Sequence, residues 1–251
     1  MRSLLQRLTL GFLILLGAAV CASAQTVTFT GRVTDQGTGQ GIADVAVVAS
    51  GNQTGTRVAI TDTQGNYSVS LGVGANTDVF LRAYKSNYIF NPLSSEFVSL
   101  GGFPLVGTIT RNLTGTSFPF PILIFALPPI LLTEDNSLNA LTVDAVTHAR
   151  DPFPLTNDNY FGSDKRTRLT LLLVDLELFS GETLSIITAQ AVDAQAKTYS
   201  LAVEDLRKVP NVPWLSQLTV RLPSELAGVT SVTINVSARG QVSNGAKVKL
   251  K

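Results

Sequence analysis

The sequence predicts an all-β chain: two antiparallel β-sandwiches in tandem behind a cleaved secretory signal peptide. Three observations predict it. Short apolar–polar alternations recur from residue 27 to the C-terminus, clusters of Gly, Asn and Asp separate them, and no long segment carries the period of an amphipathic helix. The 251 residues are 45% hydrophobic and 15% charged, an apolar share ordinary for a globular protein and unsuited to disorder or a coiled coil.

Residues 1–24 read as an export signal. Arg2 and Arg7 precede a largely apolar run over residues 8–21, and Ala22-Ser23-Ala24 forms an A-x-A cleavage site before Gln25. The run is shorter than the roughly 20 residues of a membrane-spanning helix, so cleavage should leave no transmembrane segment. Val20 stands before Cys21 where a lipoprotein signal carries a small residue, which disfavours lipidation. The expected destination is the periplasm, the cell surface or the exterior. Cleavage after Ala24 leaves 227 residues with 17 basic and 18 acidic side chains, a formal charge of −1, and removes Cys21, the only cysteine. A secreted chain without disulfides must be held by core burial. The balanced charge carries no nucleic-acid footprint.

The first sandwich is expected over residues 25–116. Val27, Phe29 and Val33 alternate, as do Val45 and Val47, Val58 and Ile60, Tyr67, Val69 and Leu71, then Val79, Leu81 and Ala83. Period two places each set on one buried strand face. The intervening Asp35-Gln36-Gly37-Thr38-Gly39, Gly51-Asn52-Gln53-Thr54-Gly55 and Asp62-Thr63-Gln64-Gly65-Asn66 have turn chemistry, the last expected to close a hairpin. Residues 117–129 differ. Prolines bracket the apolar Ile122-Leu123-Ile124-Phe125-Ala126-Leu127, so the stretch from Phe118 to Leu127 reads as a domain boundary whose middle packs at the inter-domain contact, or else as a patch for another protein.

The second sandwich is expected over residues 130–251. Leu171-Leu172-Leu173-Val174 is continuously apolar, which implies burial on both faces. Tyr199, Leu201 and Val203 alternate, followed by Leu218, Val220 and Leu222, then Val232, Ile234 and Val236. Ser224-Glu225-Leu226-Ala227 suits one short helical turn. Arg239-Gly240 should close a hairpin and Asn244-Gly245 mark a bulge or bend. Val248 and Leu250 point inward while Lys247, Lys249 and Lys251 point out, as at a solvated or edge position.

Gly31-Arg32-Val33-Thr34-Asp35, Gly41-Ile42-Ala43-Asp44-Val45, the run from Thr61 through Gly65-Asn66-Tyr67 to Val69, and Tyr84 with Asn87-Tyr88-Ile89-Phe90-Asn91-Pro92 together resemble the carboxypeptidase regulatory-like family. The resemblance covers residues 26–116 and implies a prealbumin-like sandwich, a structural or interaction module without catalytic residues that is sometimes grouped with carbohydrate-binding-like folds. Asn87 departs from the Gly frequent in relatives, and Asn also tolerates the left-handed conformation. The later run Val220-Arg221-Leu222-Pro223-Ser224-Glu225-Leu226-Ala227 with Val232-Thr233-Ile234-Asn235-Val236 is similar to immunoglobulin-like (IPT-type) sandwiches of bacterial exported proteins.

Chemistry is sparse. One His and one Cys cannot supply the usual zinc set, no nucleophile motif is present, and no catalytic residue, metal ligand or cofactor is predicted. His148 fits a strand end or turn. Asp175 and Glu177 alternate on one strand, about 7 Å apart along it, within the separation of glycosidase carboxylates, but nothing else supports hydrolysis. Asn157-Asp158-Asn159-Tyr160-Phe161-Gly162-Ser163-Asp164 is rich in oxygen ligands without a calcium-loop spacing, and Lys165, Arg166 and Arg168 follow as a solvated cluster able to pair with its acids. Trp214, in the proline-flanked Val209-Pro210-Asn211-Val212-Pro213-Trp214, is the candidate ligand-facing aromatic, read as lying in a stiffened loop. Tyr84, Tyr88 and Phe90 pose the same question. The expected role is a non-enzymatic adhesion or assembly module whose partner is a protein or a cell-surface polysaccharide. A carbohydrate-binding protein is the alternative, and a glycoside hydrolase the more distant one.

Overall fold

A computed structural model describes residues 25–98, 105–118, 127–158 and 162–251. The stretch read as an export signal (1–24), the apolar middle of the proline-bracketed segment (119–126) and part of the oxygen-rich loop (159–161) lie outside them. Among the described residues the secondary structure is strand apart from two short 3-10 turns, Leu184–Ile186 and Ser224–Leu226. The chain is all-β.

The N-terminal strands are β1 (Gln25–Asp35), β2 (Ala46–Gly51), β3 (Gly55–Ile60), β4 (Asn66–Val73), β5 (Asp78–Tyr84), β6 (Tyr88–Asn91), β7 (Ser95–Val98), β8 (Gly107–Thr110) and β9 (Leu113–Ser117). They make one sheet in the order β4-β1-β9-β6, with β8 also beside β1, and a second in the order β3-β2-β5-β7. Val27, Phe29, Val33, Val47, Tyr67, Val69, Leu71, Val79 and Leu81 meet between the sheets as the alternation requires. β1 runs parallel to β8 and β9. The two are halves of one interrupted strand. At the break the Arg111 carbonyl presses on Gly31, where a Cβ would overlap it, and Asn112 Oδ1 accepts from Arg32 N at 2.9 Å.

Two details depart from the sequence reading. Val58 and Ile60 do not face the N-terminal core. β3 pairs Ala59 with Val47 and Val58 with Val48, and Val47 points into that core, so Ala59 follows it while Val58 turns outward and Ile60 is exposed. The Asp62–Asn66 turn does not close a hairpin either, because β3 and β4 belong to different sheets. Asp62 Oδ1 accepts from Gln64 N at 2.9 Å and Asn66 N at 2.8 Å, shaping a crossing between the sheets.

The C-terminal strands are β10 (Ile130–Leu131), β11 (Thr142–Asp144), β12 (Arg168–Val174), β13 (Ile187–Val192), β14 (Thr198–Val209), β15 (Val212–Arg221), β16 (Ser231–Ala238), β17 (Gln241–Val242) and β18 (Ala246–Lys249). They are ordered β10-β12-β15-β14-β13-β16-β17, with β11 on β12 and β18 on β16. A register shift between Val203 and Asp205 bends β14. Its first half and the second half of β15 then cover the C-terminal core, while the end of β14 and the start of β15 run out as a hairpin arm. Leu169, Leu171, Leu173, Leu218, Val220, Val232, Ile234 and Val236 fill that core.

The last strand keeps its lysines in solvent, but its backbone is not left open on either side. β16 lies on one side; on the other, Ala140 N donates to Lys247 O at 2.7 Å, Lys247 N to Leu138 O at 2.7 Å and Phe153 N to Lys249 O at 2.9 Å. Laying the 138–153 segment along the last strand removes an exposed edge that the lysines would otherwise protect alone.

Candidate functional site at the junction of the two cores

The strand β2 opens with four apolar residues, Ala46-Val47-Val48-Ala49, and both faces of this stretch are covered. Val47 and Ala49 enter the N-terminal core, whereas Val48 joins Tyr84, Leu132 and Val174 in a separate apolar cluster between the two cores. Leu172 and Trp214 pack on that cluster from the C-terminal side. The continuous Leu171-Leu172-Leu173-Val174 run has the same explanation: Leu171 and Leu173 face one core, while Leu172 and Val174 face the junction. A buried polar lock sits beside it. Thr56 N donates to Thr133 Oγ1 at 2.8 Å and Thr133 N donates back to Thr56 Oγ1 at 2.9 Å. Arg57 and Asp135 form an ion pair next to this lock.

Trp214 lies in β15, not in a loop. Val209 pairs with Val212, so Pro210-Asn211 is a two-residue hairpin turn in which Asn211 adopts φ 62°. The arm so formed carries Trp214 against the junction, where it is half-buried and packed.

Alongside runs a cleft of about 110 Å³, lined by Tyr84, Tyr88, Phe90, Phe118, Asp175 and Glu177 among others. It therefore gathers residues that the sequence offered separately as stacking aromatics and as paired carboxylates. Tyr88 and Phe90 stack with centroids 6.0 Å apart. β12 stops at Val174 and Asp175 takes φ 62°, so the two acids are not on a regular strand, yet the alternation persists past its end. Leu176 enters the C-terminal core, Leu178 packs against that core, and Asp175, Glu177 and Phe179 face the cleft.

Cations answer both acids. Arg82, on the outward face of β5 and only 7% exposed, donates from Nη2 to Pro128 O at 2.6 Å and stands 3.5 Å from Asp175 Oδ2. Lys208, from the β14–β15 arm, donates to Tyr84 Oη at 3.0 Å and lies 3.3 Å from Glu177 Oε2. Arg239 donates to the Glu177 carbonyl at 2.7 Å, pairs with Glu182 and stacks over Phe179 with its guanidinium 4.0 Å from the ring centroid. Burial pushes the Asp175 carboxyl up to about 6 despite the nearby Arg82, with Glu177 adding to the rise. Burial lowers the Arg82 guanidinium, which Asp175 opposes. Burial, with Glu177, raises the Tyr84 hydroxyl. The arrangement holds charge in place across a junction, with each acid set against a cation.

The remaining sequence candidates fall elsewhere. His148 is exposed in a turn at φ 57°, donating from its backbone N to Asp144 O at 2.9 Å. Asp144, 1% exposed, organises that turn by accepting from Val146 N at 2.9 Å and Thr147 N at 2.6 Å, and also accepts from Asn157 Nδ2. Asp164 meets Arg166 at 2.9 Å and Arg221 at 2.7 Å, and the hydrogen bonds from Arg166 hold its carboxyl well below the usual range. Glu204 completes the network through Arg168 at 2.6 Å. The cluster is an ion-pair network on the C-terminal sheet, and among the described residues no group of three or more His, Cys, Asp or Glu is placed to hold a metal. No helix among them is long and apolar enough to cross a membrane. Sequence reasoning passed over Arg82, Lys208, Thr56 and Thr133. The legible signal was the apolar outward set of Val48, Val58 and Tyr84, which has no reason to exist on a solvated face.

No family model matches the chain, and no curated protein matches it. Solved structures do. The major pilin subunit BcpA of Bacillus cereus is 9% identical with a TM-score of 0.28, over 90% of this chain and 70% of that one. A streptococcal ancillary pilin is 11% identical with a TM-score of 0.29, over 73% of this chain, which spans 60% of the pilin's length. A DUF3823 family protein from Bacteroides ovatus is 13% identical with a TM-score of 0.24, over 90% of this chain and all of that one.

Proposed function

We propose that this chain is a non-enzymatic, exported structural or interaction protein. In this reading a carboxypeptidase regulatory-like sandwich over residues 25–116 is braced against an immunoglobulin-like sandwich over residues 130–251, and the pair serves adhesion or assembly at the cell surface or in the periplasm. The observation that carries the reading is the junction: its acids are set against cations, its tryptophan is packed between the two cores, and a reciprocal threonine lock spans it. Such a site resists relative motion, which suits a strut better than a catalyst. Calorimetry of the mature chain tests it. One cooperative transition is expected, dividing into two in Thr56→Val/Thr133→Val; two independent transitions in the parent chain would refute the brace.

The Tyr88–Phe90 stack beside the cleft acids favours a second reading, carbohydrate binding. A glycan array discriminates. Sugar-specific retention lost in Tyr88→Ala would establish it, and absence of retention on every glycan would dismiss it.

A further inference from the structure

We propose that the junction is a proton-sensitive joint: taking up a proton at the Asp175 carboxyl tightens the docking of the β14–β15 arm and the β12 end against the β5 face. The inference goes beyond the structural role above and stands on how charge is distributed at one place in the fold. Asp175 and Glu177 face the same cleft from one short segment, so two like charges adjoin in a partly enclosed space. The groups facing them come from every surrounding element. Arg82 and Tyr84 lie on β5, Lys85 on the turn after it, Lys208 on the arm, and Arg239 on the β16–β17 turn.

These contacts are unequal. Glu177 has Lys208 at 3.3 Å, whereas Asp175 has Arg82 at the longer 3.5 Å, and that guanidinium donates to Pro128 O at 2.6 Å. Asp175 is thus the less well compensated charge, and its side chain is 24% exposed. Neutralising it removes the repulsion from Glu177 and the cost of holding an ion away from water. Arg82 keeps its carbonyl partner when this happens. Because burial has already raised the carboxyl to about 6, the change falls in a mildly acidic range.

The chain contains its own reporter. Trp214 is its one tryptophan and packs on the junction cluster, while Leu215 beside it pairs with Val174 beside Asp175. Acrylamide quenching of Trp214 fluorescence in the mature chain should weaken as pH falls from about 7.5 to about 4.5, with a midpoint near the raised value of about 6. Asp175→Asn should abolish the dependence, holding quenching near its acid level throughout. His148 is the chain's single imidazole, so His148→Gln serves as the control and must leave the midpoint in place. If Asp175→Asn does not fold, Glu177→Gln serves instead, because removing the neighbouring charge should shift the midpoint downward. A flat quenching profile in the parent chain, an unchanged midpoint in Asp175→Asn or Glu177→Gln, or loss of the transition in His148→Gln would overturn the proposal.

Discussion

Gly31 shows how one residue without a side chain sets the course of several strands. The Arg111 carbonyl occupies the space a Cβ would need, and Tyr67 donates its hydroxyl to that same carbonyl at 2.6 Å. Burial pushes the Tyr67 hydroxyl up to about 12, so it remains a donor at any ordinary pH. Gly31→Ala should therefore destabilise the chain by roughly 1–3 kcal/mol through overpacking, read as a lower urea midpoint with unchanged slope. Asn87 makes a parallel case at φ 65°. Asn87→Ala should cost about 1 kcal/mol by placing an ordinary side chain in the left-handed region, while Asn87→Gly should be close to neutral. The glycine, the tyrosine and the asparagine were all legible as turn or core residues. The carbonyl that ties the first two together was not, since it comes from the break between β8 and β9, far along the chain.

Within an element, the register decides which alternation counts. β3 offers Val58 and Ile60 at one phase and Thr, Arg and Ala at nearby positions, and hydrophobicity alone selects the first pair as core. Pairing with β2 selects Ala59, because ladder partners share a face. At the other end of the chain, the bulge around Asn244-Gly245 lets β17 and β18 both pair with β16. Its side chain then clasps β10, accepting from Leu131 N at 2.8 Å and donating to Leu131 O at 3.0 Å. Asn244→Asp replaces the donor with a carboxylate oxygen facing a carbonyl. The expected loss is roughly 1–3 kcal/mol, measured by denaturant unfolding near neutral pH, with most of it recovered in acid when the carboxyl is protonated.

Across the whole molecule, two groups of carboxylates pull stability in opposite directions with pH. Backbone hydrogen bonds lower Asp35 and Asp62, and the Arg239 hydrogen bond lowers Glu182. Their stabilisation is complete above the ordinary carboxylate range and is lost as pH falls through the depressed folded values. Asp175 has the opposite sign. Its ionised form is disfavoured in the fold above about 6, and that cost is relieved as pH falls toward the ordinary aspartate value of 3.8. The urea midpoint should therefore rise modestly from about pH 7.5 to about pH 5 and fall steeply below about pH 4, and Asp175→Asn should remove only the rise.

The sequence by itself determined the all-β class, the inward faces of most strands, the short turn at Ser224–Leu226, the Arg239-Gly240 hairpin and the poverty in metal-binding chemistry. These are local properties, set by period two, by turn residues and by which side chains are present. Only the tertiary structure decided that the outward face of β2 and β5 is covered, that Trp214 packs against it from a hairpin arm, and that Arg82 and Lys208 meet Asp175 and Glu177. Those partners are separated by 93 and 31 positions along the chain. Contacts of that kind follow from how two sheets dock, and no local pattern encodes which charges will face each other once water has been displaced between them.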